Sequence, residues 1–248
     1  VIPADATLVQ RATSAGTLLG GRVAYAQFLD GYRTGIEPVL LAAAIPAVAG
    51  DRVVEGGTGA GAGLLCLASR VPGLAGLGLE IDPALAGLAA ANLAANGHAG
   101  LHIQEQDVSV WRSQDMFDHA FANPPWHRAD GTASPNTGRQ LAKVAGATLL
   151  ADWTRALAAP LRRRGTLSLL LPAAALADGV AALQLAGCPE IHTLPLWPRA
   201  GEPARLIILR GIRHGGGPAL LHPGLVLHGS YGRFTQAADA ILRHAASL

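Results

Sequence analysis

Val53-Val54-Glu55-Gly56-Gly57-Thr58-Gly59-Ala60-Gly61 is an apolar pair, an acid, and then four glycines within six residues. Helix-forming residues follow from Ala62 to Arg70, so the stretch reads as strand, tight turn, helix. Glycine at positions 57, 59 and 61 lets the chain reverse sharply and lets a ligand touch the backbone. No Gly-Lys-Ser/Thr follows, which excludes a nucleoside-triphosphate loop. Gly57-x-Gly59-x-x-Ala62 satisfies the dinucleotide fingerprint, and Glu80 lies 23 residues after Gly57, where a ribose-binding acid belongs. Glu55 argues the other way. A carboxylate directly before the glycines would repel a pyrophosphate, and it suits a cationic ligand.

Outward from the turn, strands and helices alternate. Residues 52–55, 74–80, 101–104, 117–122, 166–171, 191–196 and 205–213 read as strands; residues 37–49, 62–70, 83–96, 139–160 and 173–186 read as helices. Asp82 and Pro83 give one helix a cap and a first position, and Gly97 closes it. Several strands are apolar on both faces, which marks a mostly parallel sheet covered on both sides. The last two strands, joined by the short turn 197–204, are expected as an antiparallel pair at one edge. Residues 17–28 suggest a hairpin turning at Gly20-Gly21, and a helix from about Thr235 closes the chain. The expected organisation is a single domain over 1–248, with 1–36 as an N-terminal extension.

Phe121-Ala122-Asn123-Pro124-Pro125-Trp126 follows the fourth strand, on the same sheet edge as the glycine turn. Two prolines fix the chain direction and remove two N–H groups, leaving the carbonyls before them free to accept. The Asn123 side-chain oxygen adds another acceptor. An amino group conjugated to a ring or a carbonyl needs such acceptors, because pulling on its N–H groups makes the nitrogen a better nucleophile. Trp126 offers a flat surface for a planar substrate.

Glu55 to Gly61, Glu80, Asp107 and the Asn-Pro-Pro-Trp of 123–126 resemble the class I amino-methyltransferases of the NPPY type. The segments 31–43 (GYRTGIEPVLLAA) and 225–243 (LVLHGSYGRFTQAADAILR) extend the likeness to the tRNA1(Val) adenine-N6-methyltransferase family, the small-methyltransferase group. The resemblance implies a Rossmann-like α/β fold with a seven-stranded, mostly parallel sheet and an antiparallel edge strand. It implies S-adenosyl-L-methionine as cofactor, with Glu55, Gly57, Gly59 and Gly61 around its methionine part and adenosine. Glu80 would bind the ribose hydroxyls, Asp107 the adenine amino group, and Arg33, Thr34 and Gly35 would line the pocket from the N-terminal side. Asn123 and Pro124 would orient the target nitrogen, Pro125 completes the motif, and Trp126 would stack on the base. His127, Arg128 and Arg139 lie beside the motif as expected substrate contacts. Glutamate stands at position 55 where the family usually has aspartate, and tryptophan at 126 where it usually has tyrosine.

Composition sets the remaining bounds. Half the residues are hydrophobic and 15% are charged, a folding composition. Cys66 and Cys188 form no CxxC pair and read as small buried side chains in a reducing cytoplasm. No apolar run is long enough for a membrane span. The histidines show no metal-ligand spacing, so no metal is expected, and no serine sits in a G-x-S-x-G elbow. Residues 1–150 carry a net charge of −3 and residues 151–248 a net charge of +5, which points to the second part for an anionic partner such as tRNA or another structured RNA. Arg162-Arg163-Arg164 is either that contact or a solvated turn. A nicotinamide oxidoreductase, a protein-glutamine methyltransferase, a DNA adenine methyltransferase and a silent RNA-binding module are the competing readings.

Overall fold

Arg52–Gly56, Ala75–Glu80, Leu101–Glu105, Phe117–Ala122, Leu161–Pro172, Glu190–Arg199, Leu206–Ile212, Leu220–Leu221 and Leu225–His228 form strands β3 to β11 of one sheet. The computed structural model describes residues 11–31, 33–125 and 147–248. The strand order is β5-β4-β3-β6-β7-β9-β8, with β10 and β11 both pairing along β8. β9 runs antiparallel to β7 and β8, and every other pairing in this sheet is parallel. The antiparallel strand thus lies inside the sheet, between β7 and β8, and not at its edge. Two short strands extend the sheet beyond the seven expected.

Side-chain alternation divides two cores across the sheet. Val53, Phe121, Leu170 and Ile208 face one, with Leu40 and Leu41 of α1 (Glu37–Ala44), Leu64 and Leu65 of α2 (Ala62–Arg70), Leu93 of α3 (Pro83–Ala95) and Ile241 of α6 (Gln236–His244). Val54, Ala120, Ala122, Leu169, Leu171 and Leu209 face the other. There they meet Leu150 and Leu157 of α4 (Ala147–Ala158) and Leu183 of α5 (Leu176–Leu185). Strands covered on both faces must be apolar on both faces, which is the pattern their sequences carry.

The sequence-derived boundaries hold closely for α2 and β6. The strand expected at 166–171 starts earlier, at Leu161. Its first residues escape the period-two pattern because β7 bulges. Leu161 pairs with Phe117, but the next pair is Thr166 with His119, and Arg164 sits at φ +69° within the arc between them. The arginine run lies in this bulge, at the sheet edge opposite the glycine turn. Arg162 is paired with Asp118 and Arg164 with Glu190, so two of the three cations already have carboxylate partners. The run thus lies in a structural bulge whose outer two guanidinium groups are ion-paired.

Strands β1 (Thr13–Leu18) and β2 (Val23–Phe28) form the expected hairpin, turning through Leu19–Gly21. Asn92 on α3 and Asn96, the residue that caps the end of α3, hold it. Asn92 accepts from Ala26 N at 2.9 Å and donates to Ala26 O at 2.9 Å, and Asn96 does the same for Ala24 at 2.9 and 2.8 Å. Spaced i and i+4, the two amides present one helix face to alternate residues of β2 and imitate a neighbouring strand. Among the described residues, no helix is long and apolar enough to cross a membrane.

Candidate functional site

Strand register gathers the candidate residues. Gly56 sits beside Leu79 on one side and Ala122 on the other, and Glu80 sits beside Glu105. The turn 57–61, Glu80, Asp107 and Asn123 therefore share the carboxyl edge of the parallel strands, where open α/β sheets bind ligands. Asn123 is half-buried directly after β6, and Pro124 is buried behind it. Trp126, His127, Arg128 and Arg139 lie outside the described residues.

The turn closes on its own backbone. Thr58 N donates to Leu79 O at 3.0 Å and Gly61 N to Thr58 O at 2.9 Å, with Gly57, Gly59 and Gly61 all at positive φ. Gly57 is the most constrained. At φ +66° a side chain is strained, and a Cβ there would lie 2.7 Å from Cη2 of Trp153. Trp153, on α4, thus lies against the turn, and Leu157 of the same helix packs on Gly56. Sequence reasoning missed Trp153, because a tryptophan inside an apolar helix pattern looks like any core residue.

Glu55 has a different immediate task from the one expected. It is buried, and its Oε2 accepts from the Thr58 hydroxyl at 2.5 Å and from Leu64 N at 3.1 Å. Burial pushes its carboxyl up to about 8; the bonds from Thr58 and Leu64 oppose the shift, and the nearby Glu80 adds to it. The group is therefore largely protonated at neutral pH, and it pins the turn to the first turn of α2. It also takes one of the free N–H groups at that helix start, where an anion would bind.

Glu80 and Asp107 are held with acceptor capacity to spare. Glu80 Oε2 accepts from Gly59 N at 2.8 Å and Oε1 from Asp82 N at 2.9 Å. Asp107 Oδ1 accepts from the Ser109 amide at 2.8 Å and hydroxyl at 2.7 Å. Each carboxylate retains lone pairs for further donors. On the N-terminal side, Thr34 is fixed by the hairpin: its hydroxyl bonds Tyr25 OH at 2.7 Å and its N–H donates to Gln27 Oε1 at 3.1 Å. Arg33 and Gly35 flank it, exposed. Close by, Glu37 Oε2 is buried with no hydrogen-bond partner among the described residues. Such an orphan acceptor is costly by itself, and it marks a place where a donor is wanted.

These features fit an adenosine carrying an amino-acid chain. The ligand's hydroxyls and adenine amino group are donors, and Glu80, Asp107 and Glu37 supply acceptors. A Cβ on Gly59 would meet open space, so the turn presents bare backbone there. Metal chemistry has no counterpart set: among the described residues no three His, Cys, Asp or Glu side chains come together. Cys66 and Cys188 are buried free thiols, as the sequence suggested.

Comparison with known proteins agrees with the sequence reading of family, fold and cofactor. Residues 37–153 match the family described as methyltransferase small domain. The chain is 30% identical over 142 residues to the tRNA1(Val) (adenine(37)-N6)-methyltransferase of Bacteroides thetaiotaomicron, covering 56% of this chain and 60% of that one. It is 28% identical over 134 residues to the same-named protein of a Flavobacteriaceae bacterium, covering 53% and 58%. The matches thus span about 60% of these relatives' length. Among solved structures, a predicted O-methyltransferase of Agrobacterium tumefaciens superposes with a TM-score of 0.69 at 22% identity, over 86% of this chain and 98% of that one. A T. thermophilus 16S rRNA N2 methyltransferase in complex with AdoMet and guanosine superposes with a TM-score of 0.57 at 20% identity, over 82% and 50%. The sheet has the fold of these methyltransferase structures.

Proposed function

With a methyltransferase small domain matched over residues 37–153, we propose that the chain transfers a methyl group to an exocyclic amino nitrogen, most specifically N6 of an adenine in tRNA. The observation that carries the reading is the meeting of Asn123-Pro124-Pro125 with the glycine turn and its acids at one sheet edge. When bound, S-adenosylmethionine supplies an electrophilic methyl group on a sulfonium centre. Glu80 would hold its ribose hydroxyls, Asp107 its adenine amino group, and the backbone of 57–61 its chain.

The chain's own part is positioning. Asn123 accepts a hydrogen bond from the target amino group through its side-chain oxygen. Its main-chain carbonyl, aimed by Pro124, accepts a second. Together they would orient the nitrogen lone pair toward the methyl group of the bound cofactor, which would pass to it by direct displacement from sulfur. No dedicated base is required, because the nitrogen becomes far more acidic as it gains the methyl and sheds its proton to water. Trp126 beside the motif would stack on the base.

RNA as the acceptor is supported by the names of the curated relatives and by the basic balance of residues 151–248. A cytoplasmic location goes with that acceptor. The test uses labelled S-adenosylmethionine with unmodified tRNA, duplex DNA and a protein extract in separate reactions, followed by digestion of any labelled product. Label recovered as N6-methyladenosine from tRNA is the expected result. Label recovered only as methylglutamine from protein overturns the acceptor and keeps the chemistry, since an amide presents the same planar nitrogen to Asn123.

A further inference from the structure

We infer that Tyr231, with Arg233 beside it, is a contact point for single-stranded RNA flanking the target base; this rests on the RNA reading above. Tyr231 is fully exposed at 101% and adopts a left-handed backbone, φ +60° and ψ +22°. That conformation is unfavourable for any side chain but glycine's, and a wholly solvated ring contributes nothing to the core. The surrounding structure nonetheless enforces it. His228 and Phe234 stack with their ring centroids 4.8 Å apart and form a β-bridge. Gly229 N donates to Arg233 O at 2.9 Å, and His228 Nδ1 lies 3.2 Å from Gly232 O. A rigid clip therefore holds out an aromatic ring at a backbone cost. Arg164 shares the left-handed backbone within a bulge, but Tyr231 combines it with a ring exposed to solvent, and that combination motivates the functional reading.

Topology places the clip where an RNA would pass. β11 runs parallel to β8, which runs parallel to β7, so residues after His228 emerge at the same sheet edge as Asn123. Four strand steps separate β6 from β11, about 19 Å at the usual spacing of adjacent strands. Between them, the ends of β9 and β8 bring the exposed Arg205 and Arg199 to that edge, and the exposed Arg233 follows Tyr231. The acids nearby are Glu202, which pairs with Arg199 at 3.3 Å, Asp239 in the first turn of α6, which pairs with Arg243 at 2.7 Å, and Asp178 in the first turn of α5. A row of guanidinium groups ending in an exposed ring matches a phosphate backbone with unstacked bases, because the cations follow the chain and the ring takes a base.

The experiment measures binding of unmodified tRNA by the full chain across a range of salt, by fluorescence anisotropy, with cofactor affinity followed by calorimetry. Tyr231→Ala is expected to weaken RNA binding about tenfold at every salt concentration, within the range for loss of one stacked base. Tyr231→Phe should retain binding. Arg233→Ala should lower the slope of log affinity against log salt by about one. Cofactor affinity should stay unchanged in all three. Tyr231→Gly guards against misfolding: it removes the ring and relieves the backbone, so it should bind RNA as poorly as Tyr231→Ala while its Tm stays level or rises. Parent-like RNA binding by Tyr231→Ala and Tyr231→Gly would overturn the inference and leave the RNA reading standing. A parent chain that binds cofactor but no RNA would overturn both. Unchanged RNA binding with an altered oligomeric state would assign the ring to a protein contact instead.

Discussion

Asn123 and Glu55 divide the chemistry of the site between them. Asn123 stands directly after β6 with two prolines fixing the chain beyond it; in the proposed reaction its acceptors act on the substrate nitrogen and not on the cofactor. Asn123→Ala should lower the rate of methyl transfer on an established acceptor by about 10²- to 10³-fold, as loss of a preorganised polar group does, with the cofactor Kd nearly unchanged. Full turnover in that variant would remove the assigned role. Glu55 is tested through pH. Its carboxyl is raised to about 8 in the folded chain, so the folded state holds the proton more firmly than the unfolded state. The associated stability is complete below the ordinary carboxylate range and is lost as pH rises through about 8. Relative to the parent, Glu55→Gln should show a flatter Tm between pH 5 and 9 and should be the more stable of the two at the alkaline end. The difference is on the order of a few kcal/mol, and parallel Tm curves would contradict it. The positions of Glu55, Glu80, Asp107 and Asn123 were legible in the sequence, since each lies at or just after the end of a strand. The protonation of Glu55 was not, because it arises from burial beneath the turn and from Glu80, which meets it only across the sheet.

At the scale of elements, the cofactor side is a joint between α3, the hairpin and the glycine turn. Asn92 makes that joint: besides its two bonds to Ala26 it donates to Ala60 O, in the turn itself, at 2.9 Å. Asn92→Ala removes three hydrogen bonds and strands three backbone groups, two of them on the hairpin. The expected loss is about 2–3 kcal/mol of stability. Hydrogen exchange at Ala26 should accelerate, and cofactor affinity should fall as Thr34 loses its fixed support. Unaltered exchange across β2 would show that the hairpin docks by other means. Element types were readable from glycine, proline and apolar spacing; the arrangement that uses them was less so. Asn92 sits in an alanine-rich helix where nothing local announces a strand partner 66 residues earlier. The bulge at 162–165 was hidden by three arginines whose partners, Asp118 and Glu190, come from other strands.

Across the whole molecule, the deciding matter is which cofactor the carboxyl edge accepts. The glycine spacing alone fits both a dinucleotide and S-adenosylmethionine, and the sequence separated them only through the charge of Glu55. The folded chain separates them differently. Leu64 N at the start of α2 is taken by Glu55, while Glu80 and Asp107 stand ready for an adenosine and Glu37 keeps an unpartnered oxygen near Thr34. The charge asymmetry read along the chain also changed its address. The arginine run lies in a bulge at the far edge, with Arg162 and Arg164 ion-paired, and the exposed cations at the carboxyl edge include Arg199, Arg205 and Arg233. Calorimetric titration of the intact chain with S-adenosylmethionine, its demethylated product and NADH tests the cofactor assignment most directly. Saturable binding of the first two and none of NADH is the predicted result. Binding of NADH without binding of S-adenosylmethionine would contradict it.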